Sequence, residues 1–193
     1  MKLVLATTSK IKSQMMDTVY LKHTQVESDY DESQDKSENV YEHVKNLSLG
    51  KAKSILNKVQ DSIIIGLDTV CFVKGKILEK PNSVEEAKEH IRLCSGDTTS
   101  VITGLTIINQ LNGQTVNTYV ESKVTLRSIP EKDIDFYINY EPGYMYASGF
   151  ILETMLSNFV EKIEGSYYNI LGVPVETIYK YVNGWGYNLD DLQ

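Results

Sequence analysis

The chain reads as an α/β protein built on a mixed, strongly twisted sheet, and three observations carry that expectation. Near-continuous apolar runs at residues 2–6 and 63–73 have the character of strands buried on both faces. Apolar residues at helical spacing fill much of the chain between and after them, as at Ile11, Met15, Met16 and Val19. Further on, two β-rich runs, 99–109 and 114–126, are joined by Leu111-Asn112-Gly113, a hairpin signal. Consecutive strands of that kind break βαβ alternation and speak against a Rossmann domain.

Composition bounds the rest. A length of 193 residues suits one large domain or two intimate lobes with a true core. The apolar content of 41% and charged content of 23% are ordinary for a globular protein. Four apolar residues before Thr7 are too few for a signal sequence, and no window reaches the ~18 apolar residues of a membrane span. Cys71 and Cys94 sit in hydrophobic contexts, which predicts reduced, buried thiols and a cytoplasmic location. His23, His43 and His90 are scattered, so structural zinc is not expected. A net charge of −7 argues against binding a nucleic-acid polymer but leaves room for one nucleotide held by a few local cations.

Taken in order, residues 2–6 form a strand and Thr7-Thr8-Ser9-Lys10 a polar loop, with a helix following to Tyr20. That turn either presents backbone N–H groups to an anion, helped by Lys10 and Lys12, or is plain N-capping by a hydroxyl. The acidic stretch 27–38 is a solvated connection. A long helical pattern spans 39–59, with Val40, Val44, Leu47, Ile55 and Val59 in register and Lys51 at the missing beat. Lys51 either snorkels or points its ammonium into a cleft. Gly50 beside it weakens a helix interior by about 1 kcal/mol, so something packs closely there.

Residues 62–81 are the centre of the reading. An apolar strand carries one charge, Asp68, before Lys74-Gly75-Lys76 turns the chain into a second short strand ending at Lys80-Pro81. A carboxylate inside such a run costs several kcal/mol unless partnered. It is either a strand-end cap or an acid held in a cleft to bind metal or activate water. Ser83 and Glu86 then form a capping box for a helix to Cys94. A helix opened by Pro130 runs to Tyr140, short strands are expected at 159–163 and 167–171, and a last helix at 174–182.

These pieces resemble a known family, the Maf (septum-formation-like) nucleotide pyrophosphatases, over about residues 3–182. The family's opening L-A-S-x-S-P-R-R stands here as Leu5 to Lys12, its D-E pair as Asp31-Glu32, and its K-A as Lys51-Ala52. The G-x-D-T-V block is Gly66 to Val70, and G-x-(I/V)-L-x-K-P is Gly75 to Pro81. S-G…T-G matches Ser95-Gly96 and Thr103-Gly104, and G-S-Y-x-N-(V/I)-x-G-(L/V)-P matches Gly165 to Pro174.

The resemblance implies a single Maf-like domain over 1–193, two-lobed and related to the ITPase-like folds, with a cleft between lobes, and a homodimer. It implies a house-cleaning enzyme that cleaves a nucleoside triphosphate to the monophosphate and pyrophosphate with Mg²⁺ or Mn²⁺. By position, Asp68 would activate water, Glu32 and Asp68 would hold the metal, and Ser9, Lys12, Lys51 and Lys80 would meet phosphates.

The chain departs from the family at informative points. Lys10, Ile11 and Lys12 replace P-R-R, and lysine supplies a point charge where arginine supplies a bidentate fork. The late K-A-G-x-Y-x-I-Q-G motif is Tyr146 to Thr154, with Glu153 at the usual Gln. The thymidine/uridine branch carries Arg, Thr and Gln where this chain has Ile11, Thr69 and Glu153. The 7-methylguanosine branch carries an aromatic, Gln and Glu. A carboxylate only accepts, which suits the paired N–H groups of a guanine edge, and Phe150 and Tyr146 would stack on a cationic base. The alternative reading makes Glu153 a solvent-facing residue and Phe150 a core one. Loss of the loop arginines also raises a nucleotide-binding protein with weakened turnover that acts through partners. A structural domain with no nucleotide site would leave Lys51 and Asp68 as unexplained costs.

Overall fold

The computed structural model describes residues 1–35, 37–146, 148–149 and 151–192. Among these, seven strands form one sheet: β1 (Lys2–Leu5), β2 (His23–Gln25), β3 (Ser62–Val73), β4 (Lys76–Leu78), β5 (Thr98–Asn109), β6 (Thr115–Leu126) and β7 (Val160–Glu164). The order is β2-β1-β3-β5-β6-β7, with β4 pairing β3. The helices are α1 (Lys10–Thr18), α2 (Val40–Ser54), α3 (Val84–Cys94), α4 (Glu131–Tyr140), α5 (Tyr167–Ile170) and α6 (Val175–Gly184). The sheet mixes directions: β1 runs parallel to β2 and β3, whereas β4 and β7 run antiparallel to their partners.

The chain separates into two compact units. The first holds residues 1–69, 102–121 and 166 onward, and the second 70–101 and 122–165. In the first unit, the period of two along a strand sorts side chains onto opposite faces. Leu3 and Leu5, Ile63, Ile65 and Leu67, and Leu105 and Ile107 join one core cluster with Met16 and with Val175, Ile178 and Val182 of α6. Val4, Ala6, Ile64 and Ile108 join the other, with Ala52 of α2 and Ile55 just beyond it. Asp68 has the same parity as Ile64, and so belongs to the face that α2 covers.

α2 comes unusually close to that face because two strand positions lack a side chain. A Cβ on Gly66 would stand 2.1 Å from the Ser48 carbonyl oxygen, and one on Gly104 would stand 1.9 Å from that of Val44. Real Cβ atoms do not approach a backbone oxygen so closely, so each glycine is a condition of the helix seat. Polar bonds complete the seat. Ser48 Oγ and Thr106 Oγ1 lie 2.9 Å apart, and Asn117 Nδ2 donates to the Lys45 carbonyl at 2.9 Å.

In the second unit, β3 turns into β4 at Lys74 and Gly75, both at positive φ (50° and 77°), the backbone a tight two-residue hairpin requires. Ser83 Oγ accepts from Glu86 N at 3.1 Å, and Glu86 reaches back to Asn82 N at 2.6 Å, so the capping carboxylate bonds one residue ahead of the cap. Tyr137 of α4 is fully buried, with its hydroxyl accepting from Ile151 N at 3.2 Å.

Three sequence expectations change. Residues 167–171 are not a strand: Ser166 Oγ accepts from Asn169 N at 3.0 Å and caps the single turn α5, between Gly165 (φ 92°) and Gly172 (φ 83°). Local capping wins over β-propensity in so short a piece. α2 ends at Ser54 instead of continuing to Val59, and Gln110 Nε2 donates to the carbonyls of Leu56 and Val59 just beyond it. β2 was not anticipated, because His23-Thr24-Gln25 has no apolar residue and owes its conformation to pairing with β1. No helix among the described residues is long and apolar enough to cross a membrane.

Candidate active site

The site is built where α2 is pressed onto β3. Buried Val44, Leu47, Ser48 and Ala52 define the inner stripe of α2, and Lys51 lies at its edge, one residue before Ala52. Its ammonium donates to Asp68 Oδ1 at 2.6 Å and pairs with Glu32 Oε1 at 3.0 Å. The Asp68 side chain is 12% exposed and that of Lys51 16%, whereas Glu32 remains 55% exposed. Both open readings of these residues resolve the same way: the strand acid is partnered, and the off-beat lysine turns inward. Burial works against the charge on Lys51, but the Asp68 and Glu32 carboxylates outweigh it and raise its pKa above 10.5. The second Asp68 oxygen, Oδ2, has no partner among the described residues.

Around this triad the first unit gathers the N-terminal loop residues. Lys12 Nζ donates to the Leu67 carbonyl at 3.2 Å, one residue along β3 from Asp68. Thr69 and Thr103 share a hydroxyl contact of 3.1 Å. Gly172 lies against both, since a Cβ there would meet Thr69 Oγ1 at 3.1 Å and Lys12 Cε at 3.3 Å. Ser9 is the N-cap of α1, accepting from Lys12 N at 3.4 Å, so its hydroxyl serves the helix as the capping reading expected. Gln25 Nε2 secures the loop by donating to the carbonyls of Thr7 and Ser9 at 3.2 and 3.0 Å. Ile11 is 51% exposed.

Lys80 and Glu153 belong to the second unit, and both are exposed. Phe150 and the side chain of Tyr146 lie outside the described residues. Sequence reasoning missed Gln25, Thr103 and the anchors of the acidic segment, Asp35, His43 and Asn46. The one signal for the last group was polar residues at helical spacing, 43 and 46, on a helix whose opposite face is apolar.

No group of three or more His, Cys, Asp or Glu side chains able to hold a metal ion occurs among the described residues. What the triad offers is two carboxylates meeting at one ammonium. An all-oxygen pair of this kind is unsuited to zinc. It fits a hard divalent cation that keeps several waters and takes its remaining oxygens from substrate phosphates.

The chain matches the Maf-like protein family over residues 2–185, and it belongs to that family. A relative from Syntrophus aciditrophicus (strain SB) is 31% identical over 185 residues, covering 96% of this chain and 90% of its own. One from Clostridium perfringens (strain SM101 / Type A) is 33% identical, covering 93% and 95%. A third, from Clostridium kluyveri, is 31% identical, covering 98% and 100%. All three bear the name dTTP/UTP pyrophosphatase.

Proposed function

We propose that this protein is a metal-dependent nucleoside triphosphate pyrophosphatase, releasing the nucleoside monophosphate and pyrophosphate. The observation that carries the reading is Asp68: a buried strand carboxylate with Oδ1 fixed by Lys51 and Oδ2 left over. Such a group can take a proton from a water molecule at a defined place. The water oxygen then bonds to the phosphorus flanking the α–β bridge while the bond to the bridging oxygen breaks, and pyrophosphate leaves. Lys51 keeps Asp68 in one orientation. Lys12 supplies positive charge for the phosphates as a point charge, and the family resemblance assigns Lys80 a phosphate contact as well. Glu32 and Asp68 would hold Mg²⁺ or Mn²⁺, which when bound offsets the negative charge of the phosphate chain.

For the base, the names of the relatives and Thr69 favour thymine or uracil, while Ile11 and the acceptor-only Glu153 favour a guanine edge such as that of 7-methyl-GTP. The second functional reading, a nucleotide-binding protein of weak turnover, draws on the loop in which Lys10-Ile11-Lys12 replaces the family's P-R-R. We also infer a cytoplasmic homodimer, from the free cysteines and from the family resemblance.

The test is pyrophosphate release with Mg²⁺ or Mn²⁺ from dTTP, UTP, CTP, ITP and 7-methyl-GTP. Release from at least one is expected. Binding without release from any would favour the weakened protein. Asp68→Asn should lower the rate by about 10²–10⁴-fold with nucleotide binding largely retained, and an unaffected rate would remove Asp68 from the base role. Glu153→Gln should move preference towards dTTP and UTP, and an unchanged profile would discard the edge argument.

A further inference from the structure

Glu32 reaches Lys51 from a largely polar segment, so contacts on either side of it must hold that segment against α2. The Asp31 carboxylate supports the local turn, accepting from Ser33 N at 3.1 Å, Ser33 Oγ at 2.7 Å and Gln34 Nε2 at 3.2 Å. Upstream, the Tyr30 ring lies flat on Gly50, where any Cβ would stand 2.4 Å from ring carbon. That contact is the close packing the helix glycine foretold. Ser28 and Ser54 bond at 2.9 Å beside it.

Downstream, the anchor is Asp35. Its side chain is 5% exposed, and both oxygens are engaged. Oδ1 accepts from Asn46 Nδ2 at 2.9 Å and Ser37 Oγ at 3.0 Å, and Oδ2 faces His43 Nδ1 at 2.5 Å. Asn46 Nδ2 also donates to Ser37 Oγ at 2.9 Å. His43 and Asn46 are three residues apart on α2, one face of the helix. Glu32 stands between these two anchors, and the Asp35 amide bonds the Glu32 carbonyl at 3.2 Å.

We propose that Asp35 is a positioning residue: its clasp on His43 and Asn46 holds residues 28–35 so that Glu32 meets Lys51 and completes, with Asp68, the carboxylate pair for the divalent cation. The role assigned to that pair rests on the pyrophosphatase reading; the clasp itself does not.

Two measurements separate the layers. The first is zero-length carbodiimide coupling, read by mass spectrometry as the Glu32–Lys51 product relative to the Asp68–Lys51 product. The second is the Mg²⁺ dependence of pyrophosphate release. Asp35→Ala should lose the Glu32–Lys51 product and keep the Asp68–Lys51 product. It should also raise the Mg²⁺ concentration for half-maximal rate by about 10–100-fold, with a much smaller change in kcat at saturating Mg²⁺. Asp35→Asn can keep Oδ1 as the acceptor for Asn46 and Ser37 and turn its amide to His43, so it should behave as wild type in both assays. If Asp35→Ala does not fold, Asn46→Ala, which removes one donor, should give the same pattern at smaller size. An unchanged coupling ratio in folded Asp35→Ala would overturn the proposal. So would an Asp35→Asn variant as impaired as Asp35→Ala, because charge and not the clasp would then be at work. A wild type that releases no pyrophosphate would remove the functional reading and leave the coupling ratio to decide the clasp.

Discussion

In each unit a cation is gripped by two carboxylates, and the two groups differ in burial, not in reach. In the first, Lys51 meets Asp68 at 2.6 Å and Glu32 at 3.0 Å, with Lys51 and Asp68 both under a fifth exposed. In the second, Arg92 of α3 meets Glu131 at 2.5 Å and Glu85 at 2.7 Å, with all three side chains more than a third exposed. Water and salt screen the second group, so the same short distances carry little free energy there. In the first, the seat of α2 on Gly66 and Gly104 leaves Lys51 and Asp68 little exposed, and losing one partner leaves an uncompensated buried charge. The proposed chemistry is assigned to the buried group. The exposed one joins α3 to α4 alongside Lys88 and Asp135.

The comparison can be broken by exchanging each cation for a neutral side chain. Lys51→Met should cost about 3–5 kcal/mol in denaturant unfolding, by stranding Asp68, and should abolish pyrophosphate release. A loss below 1 kcal/mol would mean that Asp68 is already solvated. The pH dependence sharpens the same point. Because the folded-state pKa of Lys51 is raised, its contribution is fully present below pH 10.5 and is lost only as pH rises through the still higher folded value. Acylation at pH 9 should therefore label exposed Lys80 well before Lys51, and equal labelling would show the triad to be open. Smallest of all, Arg92→Met should cost about 0–1 kcal/mol and leave pyrophosphate release unchanged.

Much of this was legible in the residues themselves. The apolar run of β3 singled out Asp68 as its one charge, and the interrupted stripe of α2 singled out Lys51 as an oddity, because such patterns are local properties. Gly50 announced a close neighbour without naming Tyr30. The short elements were harder: β2 carries no apolar pattern, and α5 is decided by a cap on four residues whose composition favours a strand. The clasp of Asp35 was hidden because an acid in an acidic stretch has no periodicity to betray it.

What the sequence alone determined was a set of candidates: a buried acid, a misplaced lysine, a hydroxyl-rich first turn and motif spacings shared with one family. Tertiary structure decided which of them meet. The acidic segment and β3 are some thirty residues apart, and only the glycine-seated packing of α2 brings Lys51 against both at hydrogen-bond distance. Periodicity tells which way a side chain faces; only packing tells what it faces.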